Sequence, residues 1–357
     1  MQEKLRVGIV GVGAIAQAGH IPSYLRRDDV EIIAFADPEE SRVREVAKKL
    51  AADHGVATAH VYASLAAMVE DVTLDAVSIC TPNNSHVELA VYALEHGLHV
   101  LLEKPMGLSR EEGARLKDVA RASGKTLMVG MTHRYREDAA VLKRFVEAGD
   151  LGELYYAKTR ILRRRGSPTG WFTDAKVSGG GPLMDIGVHA LDLTWWLMGT
   201  PRPISVSGFL HKGIGNDGLD FINTWQAQSA GNEDNQIYTT EDFAAAFIRF
   251  DTGAVLQVEV AWSLNGEQDD ALKVDIFGSK GGVSLDPLRY YSVAHRVLTE
   301  TKPVVGMGAY YEREINHFLE CVRTGQTPIS NVTEGRTVID MLCGIAESSR
   351  QQAEIRF

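Results

Sequence analysis

The chain has 357 residues, 45% of them hydrophobic, a formal net charge of −10 at pH 7 and three cysteines. That length exceeds what one hydrophobic core organises and predicts two domains. Cys80, Cys321 and Cys343 are widely spaced with no C-x-x-C pair, which excludes a disulfide framework or a cysteine metal site and reads as reduced thiols in a cytoplasmic protein. The negative charge opposes nucleic-acid binding, because the one basic run, "RILRRRG", is too short to reverse it; no run reaches ~18 apolar residues, so no membrane span is expected.

Taken in order, "LRVGIVGVG" predicts a first strand, Ala14 to Arg26 a helix, "VEIIAFAD" a second strand and Glu39 to Ala52 a charged helix. "DAVSICTPN", "HVLLEKP" and "TLMVGMTHRY" read as further strands, separated by the helices "SHVELAVYALEHG" and Ser109 to Ser123. Continuous apolar strands alternating with helices predict a doubly wound parallel sheet, a Rossmann domain over residues 1–133. From residue 134 to 357 the pattern changes to alternating strands, "ELYYAKTRIL", "FAAAFIRFD", "GAVLQVEVAWS" and "LKVDIFGS". The expectation there is an α+β domain with an open, mostly antiparallel sheet. Lys212 to Thr240 reads as a long polar excursion, and Tyr310 to Arg323 and Val332 to Gln352 as two closing helices.

Gly11, Gly13 and Ala16 in "GVGAIA" have the G-x-G-x-x-G/A spacing, directly after a strand and at a helix start. The chemistry needs a tight turn, a bare backbone beside pyrophosphate and a small residue where helix meets strand; Gly11, Gly13 and Ala16 supply these in turn, with Ala14 and Ile15 completing the turn. A ribose partner is expected at the end of the second strand about 20 residues on, and Asp37 stands there. A carboxylate at that point favours NAD, while Arg42 keeps NADP open. Asp37 also reads as a cap for the helix near Glu39.

"PLMDIGVHALDLTWWLMG" is apolar nearly all round except for Asp185, His189, Asp192 and Thr194. At about 100° per residue the first three share one stripe, and two carboxylates beside an imidazole in a buried helix are costly without a use. Asp192 reads as structural.

Together, "GVGAIA", Asp37, "TPNNSH", "HVLLEKP" and the Asp185/His189 pair resemble the Gfo/Idh/MocA family of NAD(P)-dependent oxidoreductases over nearly the whole chain. The resemblance implies a catalytic triad of Lys104, Asp185 and His189, a loop of Thr81, Pro82, Asn83 and His86 at the nicotinamide end of the cofactor, and Glu103 beside it. It also implies a cis Lys104–Pro105 bond, a substrate position at Arg134 and Tyr135, and a homodimer or homotetramer packed through the C-terminal sheet. His189 points to the sugar and polyol branches. Oxidising a secondary alcohol needs a hydride acceptor, a proton acceptor and positive charge near the developing alkoxide, roles for NAD, His189 and Lys104. Arg163 to Arg165, Trp171 and Tyr310 or Tyr311 are further candidates for a sugar or polyol substrate. The alternatives for this chain are an NAD-dependent glycosidase or aldose–aldose oxidoreductase on the same fold, in which the cofactor is used transiently, or a non-catalytic NAD-binding sensor.

Overall fold

The computed structural model describes residues 4–54, 59–215, 237–267, 269–306 and 308–357. The chain divides into two compact units, Met1–Gly130 with Tyr311–Arg336, and Met131–Tyr310 with Thr337–Phe357.

In the first unit, β1 (Leu5–Val10) leads through a widened π turn (Ala16–His20) into α1 (Ile21–Leu25). There follow β2 (Val30–Ala36), α2 (Glu40–His54), β3 (His60–Tyr62), α3 (Leu65–Asp71), β4 (Ala76–Ile79), α4 (His86–Glu95), β5 (His99–Glu103), α5 (Arg110–Ser123) and β6 (Leu127–Gly130). The six strands pair in parallel in the order β3-β2-β1-β4-β5-β6, the doubly wound arrangement expected. Val77, Ile79, Val100, Leu101 and Leu102 are fully buried. With helices covering both faces, most strand positions turn into the core, which is why these segments read as nearly unbroken apolar runs. The expected single helix after the glycines is interrupted by the π turn because Pro22 has no N–H to donate and its ring would crowd the preceding turn.

The second unit begins with α6 (Glu137–Glu147) and β7 (Leu154–Leu162). A short α7 (Ala175–Ser178) precedes a π turn (Leu183–Gly187) that runs directly into α8 (Val188–Leu197). Then come β8 (Pro203–His211), β9 (Phe243–Phe250), β10 (Val255–Ala261), β11 (Asp269–Gly278), β12 (Gly281–Ser284), β13 (Arg289–Ala294) and β14 (Val297–Thr301). The chain closes with α9 (Tyr310–Thr324), α10 (Val332–Gln351) and β15 (Ile355–Arg356). The nine strands form one sheet, β14-β13-β12-β11-β7-β10-β9-β8-β15, antiparallel except where β10 runs parallel to β7. In β7 and β9 buried residues alternate with exposed or half-buried ones, so one face is covered, and α8 packs against β7, β10 and β11. Most of the polar excursion expected at Lys212 to Thr240 lies outside the described residues.

The division at Gly130/Met131 falls three residues before the expected cut, but the closing segment behaves differently from expectation. Residues 311–336 cluster with the first unit, held there by Arg26–Glu312 (2.7 Å), Arg323–Asp29 (2.7 Å), an Arg27 N–H to Asn316 Oδ1 (3.1 Å) and the Val129 N–H to Ser330 O (2.9 Å). Tertiary pairings of this kind, 201 to 294 residues apart in sequence, leave no local signal.

Candidate functional site

In the first unit, Gly11 has φ +84°, and a Cβ there would stand 2.7 Å from the Cys80 carbonyl oxygen. A side chain at that position is therefore both strained and obstructed. Gly13 is the complement: a Cβ would meet nothing within 4 Å, so the backbone of the turn faces open space. Ala16 is fully buried at the start of the helical segment, as the packing of helix on strand requires. This is a cradle that fits a dinucleotide pyrophosphate.

Asp37 follows β2 and is 7% exposed. Its carboxylate accepts the Val12 N–H (3.0 Å), which fastens the glycine turn, and the Glu39 N–H (2.9 Å) one residue before α2, so it braces the approach to that helix without reaching the N–H groups of its first turn. Arg42 Nη1 stands 3.2 Å from Asp37 Oδ2, and the guanidinium thus lies against the carboxylate expected at the ribose.

Past β4, Ser85 Oγ donates within 2.7 Å of Thr81 Oγ1 and 2.8 Å of the Pro82 carbonyl, folding Thr81, Pro82 and the buried Asn83 into a compact corner. His86, expected at the nicotinamide end, is fully buried, with Nδ1 at the Pro105 carbonyl (2.7 Å) and Nε2 at the Thr81 carbonyl (2.9 Å). The ring thus lies between the 81–83 corner and the Lys104–Pro105 corner, and a neutral imidazole donates its single N–H to one of the two carbonyls. Burial holds its pKa below the ordinary imidazole value, against the pull of the two carbonyls and Glu103.

The Lys104–Pro105 bond is cis, as the "EKP" resemblance implied. Glu103, at the end of β5, faces inward: Oε1 meets His20 Nε2 at 2.9 Å, and Oε2 accepts the Lys104 N–H at 3.1 Å. Burial alone would raise the Glu103 pKa, but the hydrogen bond from His20 and the charges of His20, Lys104 and His86 outweigh it and hold the carboxyl below its usual range. Glu103 therefore fixes the backbone from which Lys104 projects, and the Lys104 side chain is itself half-buried. His20, which the sequence reading passed over, belongs to this arrangement.

In the second unit, every residue from Gly181 to Trp195 is buried except Asp185 and His189, which are half-buried. The single stripe expected for Asp185, His189 and Asp192 is divided among three partners, because the π turn rotates Asp185 relative to α8. Asp185 Oδ2 accepts the indole N–H of Trp262 at 3.2 Å. His189 meets His133 edge-to-face, with ring centroids 4.7 Å apart, and His133 in turn lies beside Tyr310 at 6.4 Å. Asp192 is 1% exposed and takes both Nε (2.9 Å) and Nη2 (2.6 Å) of Arg134. The start of the π turn is held from outside: Glu241 Oε1 accepts the Leu183 N–H (3.2 Å), and burial together with Asp242 raises the Glu241 pKa despite backbone donors that lower it.

Arg134 and Tyr135 are both buried. Both were expected on substrate, but they are 2% and 6% exposed, and the Arg134 guanidinium is committed to Asp192. The adjacent His133, half-buried against His189, is the member of "THRY" turned to the candidate site, and adjacent sequence positions in a 3₁₀ turn could not tell them apart. Arg163 is half-buried, with Nη1 3.4 Å from the Gly166 carbonyl; Arg165 donates to the Leu264 carbonyl (3.0 Å) and Asn265 Oδ1 (3.0 Å); Arg164 is exposed. Trp171 stacks on Phe172 with centroids 4.0 Å apart, and Tyr311 lies in the first unit, its ring closing on Gly19. The "SGGG" run serves close packing, since a Cβ on Gly181 would stand 2.1 Å from the Glu241 carbonyl oxygen.

Comparison with known proteins agrees with this geometry. Residues 5–131 match the oxidoreductase family GFO_IDH_MocA, NAD-binding Rossmann fold, and residues 140–284 match the GFO/IDH/MocA C-terminal domain. The D-glucoside 3-dehydrogenase of Escherichia coli is 31% identical over 348 residues, 97% of this chain and 95% of its own. The scyllo-inositol 2-dehydrogenase (NAD(+)) of Bacillus subtilis is 27% identical over 357 aligned residues, 98% and 94%. Among solved structures, an oxidoreductase domain protein from Kribbella flavida superposes with a TM-score of 0.85 at 22% identity, covering 99% of both chains. The glycine turn, the Glu103–Lys104 corner and the end-to-end kinship together place the chain in the Gfo/Idh/MocA family of NAD-binding oxidoreductases.

Proposed function

We propose that the protein oxidises a secondary hydroxyl of a cyclic sugar, glycoside or inositol-like polyol, with Lys104, Asp185 and His189 as its reacting groups. The observation that carries this reading is the pair of half-buried ionisable residues, Asp185 and His189, in a helical segment that is otherwise wholly buried. The names of full-length relatives, a D-glucoside 3-dehydrogenase and a scyllo-inositol 2-dehydrogenase, support the substrate class.

The backbone of Gly11, Gly13, Ala14, Ile15 and Ala16 would hold the pyrophosphate, Asp37 the adenosine ribose and Thr81, Pro82 and Asn83 the nicotinamide end. Arg42 leaves room for the extra phosphate of NADP. Bound NAD⁺ supplies the hydride acceptor. His189 takes the hydroxyl proton, Asp185 orients the imidazole and stabilises its cation, and the Lys104 ammonium supplies positive charge for the oxygen as it becomes an alkoxide. His133 and Trp171 are the polar and flat surfaces offered to the sugar.

The outer face of the nine-stranded sheet, where Tyr156 stacks on Phe277 (5.6 Å) and Phe243, Phe247 and Val255 are half-buried, supports a homodimer or homotetramer packed through it. Sedimentation at micromolar concentration checks this, and a monomer alone would contradict it.

The central test is NADH formation from NAD⁺ with methyl glucosides, aldoses, myo-inositol and scyllo-inositol. Net, stoichiometric NADH that disappears in Lys104→Met and His189→Ala is expected. Glycoside cleavage or sugar–sugar exchange without net NADH would replace this reading with a transient use of the cofactor, and turnover unaffected by both substitutions would overturn it.

A further inference from the structure

Among the described residues Trp195 and Trp262 are both buried, and they satisfy the same need in different ways. A buried indole has one polar atom, an N–H that needs an acceptor. Trp195, on α8, is 3% exposed and donates to the backbone carbonyl of Pro201 at 2.7 Å, the ordinary structural answer. Trp262, just past β10, is fully buried and donates to a side-chain carboxylate, Asp185 Oδ2, at 3.2 Å.

The backbone that carries Trp262 is fixed on both sides. Its own N–H donates to the Asp242 carbonyl (2.9 Å), and the buried Asp242 carboxylate receives the N–H groups of Gly213 and Ile214 and the hydroxyl of Tyr238. Next along the chain, Ser263 Oγ pairs with Ser167 Oγ (3.2 Å) and the Leu264 N–H reaches the Arg164 carbonyl (3.2 Å). An indole on so fastened a segment cannot follow a moving carboxylate; it sets where the carboxylate rests. Asp185 sits in a π turn, its own N–H on the Gly181 carbonyl (3.1 Å); that bond fixes the backbone and leaves the carboxylate for an outside donor to place.

We infer that Trp262 is a positioning residue for the proposed oxidation, its indole N–H fixing the Asp185 carboxylate and through it the orientation of His189. The inference rests on the reading of Asp185 and His189 given above. A hydrogen bond to an ionised group is stronger than one between neutral groups, and its loss leaves the carboxylate one donor short in a site of low polarity. Nothing in this requires Trp262 to touch sugar or cofactor.

The test replaces Trp262 by Phe and, separately, by β-(3-benzothienyl)alanine, which keeps the bicyclic shape and lacks only the donor. Trp195→Phe, which removes a structural N–H from the same unit, is the matched control, and Asp185→Asn tests the parent reading. NADH formation is followed with whichever of methyl β-D-glucoside or scyllo-inositol the parent protein turns over. The expected result is a fall in kcat of about 10- to 100-fold in both Trp262 variants, with sugar KM and NAD⁺ affinity changed by no more than about twofold and Trp195→Phe near the parent. Full kcat in the benzothienyl variant, while Asp185→Asn is impaired, would show that Trp262 acts by shape alone and overturn the inference while leaving the parent reading intact. An equal fall in Trp195→Phe would overturn it too. Full kcat in Asp185→Asn would remove the parent reading, and the inference with it.

Discussion

Removing one partner of the Arg134–Asp192 pair gives the sharpest prediction about what holds the second unit together. The two side chains are 1% and 2% exposed and joined through two contacts, with the Arg134 guanidinium carbon 5.8 Å from the Trp196 ring centroid. Asp192→Leu takes the carboxylate away from a buried guanidinium that cannot shed its proton, and breaking a buried pair in this way costs about 3–5 kcal/mol. Replacing both groups, as Arg134→Met with Asp192→Leu, removes the buried charge and its desolvation cost together, so the double variant should recover about half of that loss or more; the desolvated cation–π contact forgone is worth about 2 kcal/mol. All five tryptophans lie between residues 131 and 310, so tryptophan fluorescence in urea reports the second unit. At about 2–3 kcal/mol per molar urea, Asp192→Leu should lower the midpoint by about 1–2 M. A shift below about 0.3 M, or a double variant as unstable as the sum of the singles, would refute the reasoning. A stable double variant that loses its sugar affinity would return Arg134 to the substrate.

Three other outcomes are expected. His20→Ala leaves Glu103 buried without its imidazole: the first unit should lose about 3–5 kcal/mol by circular dichroism. Because the folded Glu103 pKa is depressed, its contribution is present above the ordinary carboxylate pKa and lost as pH falls through the folded value, so acid unfolding of His20→Ala should begin at higher pH than in the parent. Burial lowers the pKa values of His86, His99 and His317, so below about pH 6.5 the unfolded chain binds more protons than the folded one and stability falls. Urea midpoints at pH 7.5 and 5.5 should show this difference, and His86→Gln should make it smaller. Arg42→Ala removes the cation beside Asp37 and should weaken NADP⁺ about tenfold while leaving NAD⁺ binding unchanged or tighter, as fluorescence titration would show; equal loss of both would assign Arg42 to folding.

The parallel sheet, the glycine turn and the cis Lys104–Pro105 corner were all legible because their signals are local: unbroken apolar runs, a three-residue spacing, a short motif. The open sheet was legible from the alternation in β7 and β9, although nothing local marks β10 as parallel to β7. What escaped depends on partners distant in sequence. Arg134 and Asp192 are separated by 58 positions, Trp262 and Asp185 by 77, and His20 and Glu103 by 83, so each looked solitary. The π turn at Leu183–Gly187 escaped for another reason, since a widened turn leaves the apolar pattern unbroken while changing which way Asp185 points. His133 and Arg134 show the limit most plainly: neighbours in one 3₁₀ turn, one beside His189 and the other in the core.

The assignment of residues 311–336 to the first unit has a consequence for how the protein is made. As the polypeptide leaves the ribosome, its opening 130 residues can build a six-stranded sheet, yet the segment bearing Ile315, Phe318 and Leu319, all buried, is translated only near the end. The second unit waits as well, because its buried Val338, Ile339, Leu342 and Ile345 follow still later, so both units are completed only when the last helix has been made. A fragment ending at residue 130 is accordingly an unfinished object with a bare apolar flank, and cannot be treated as a separable module.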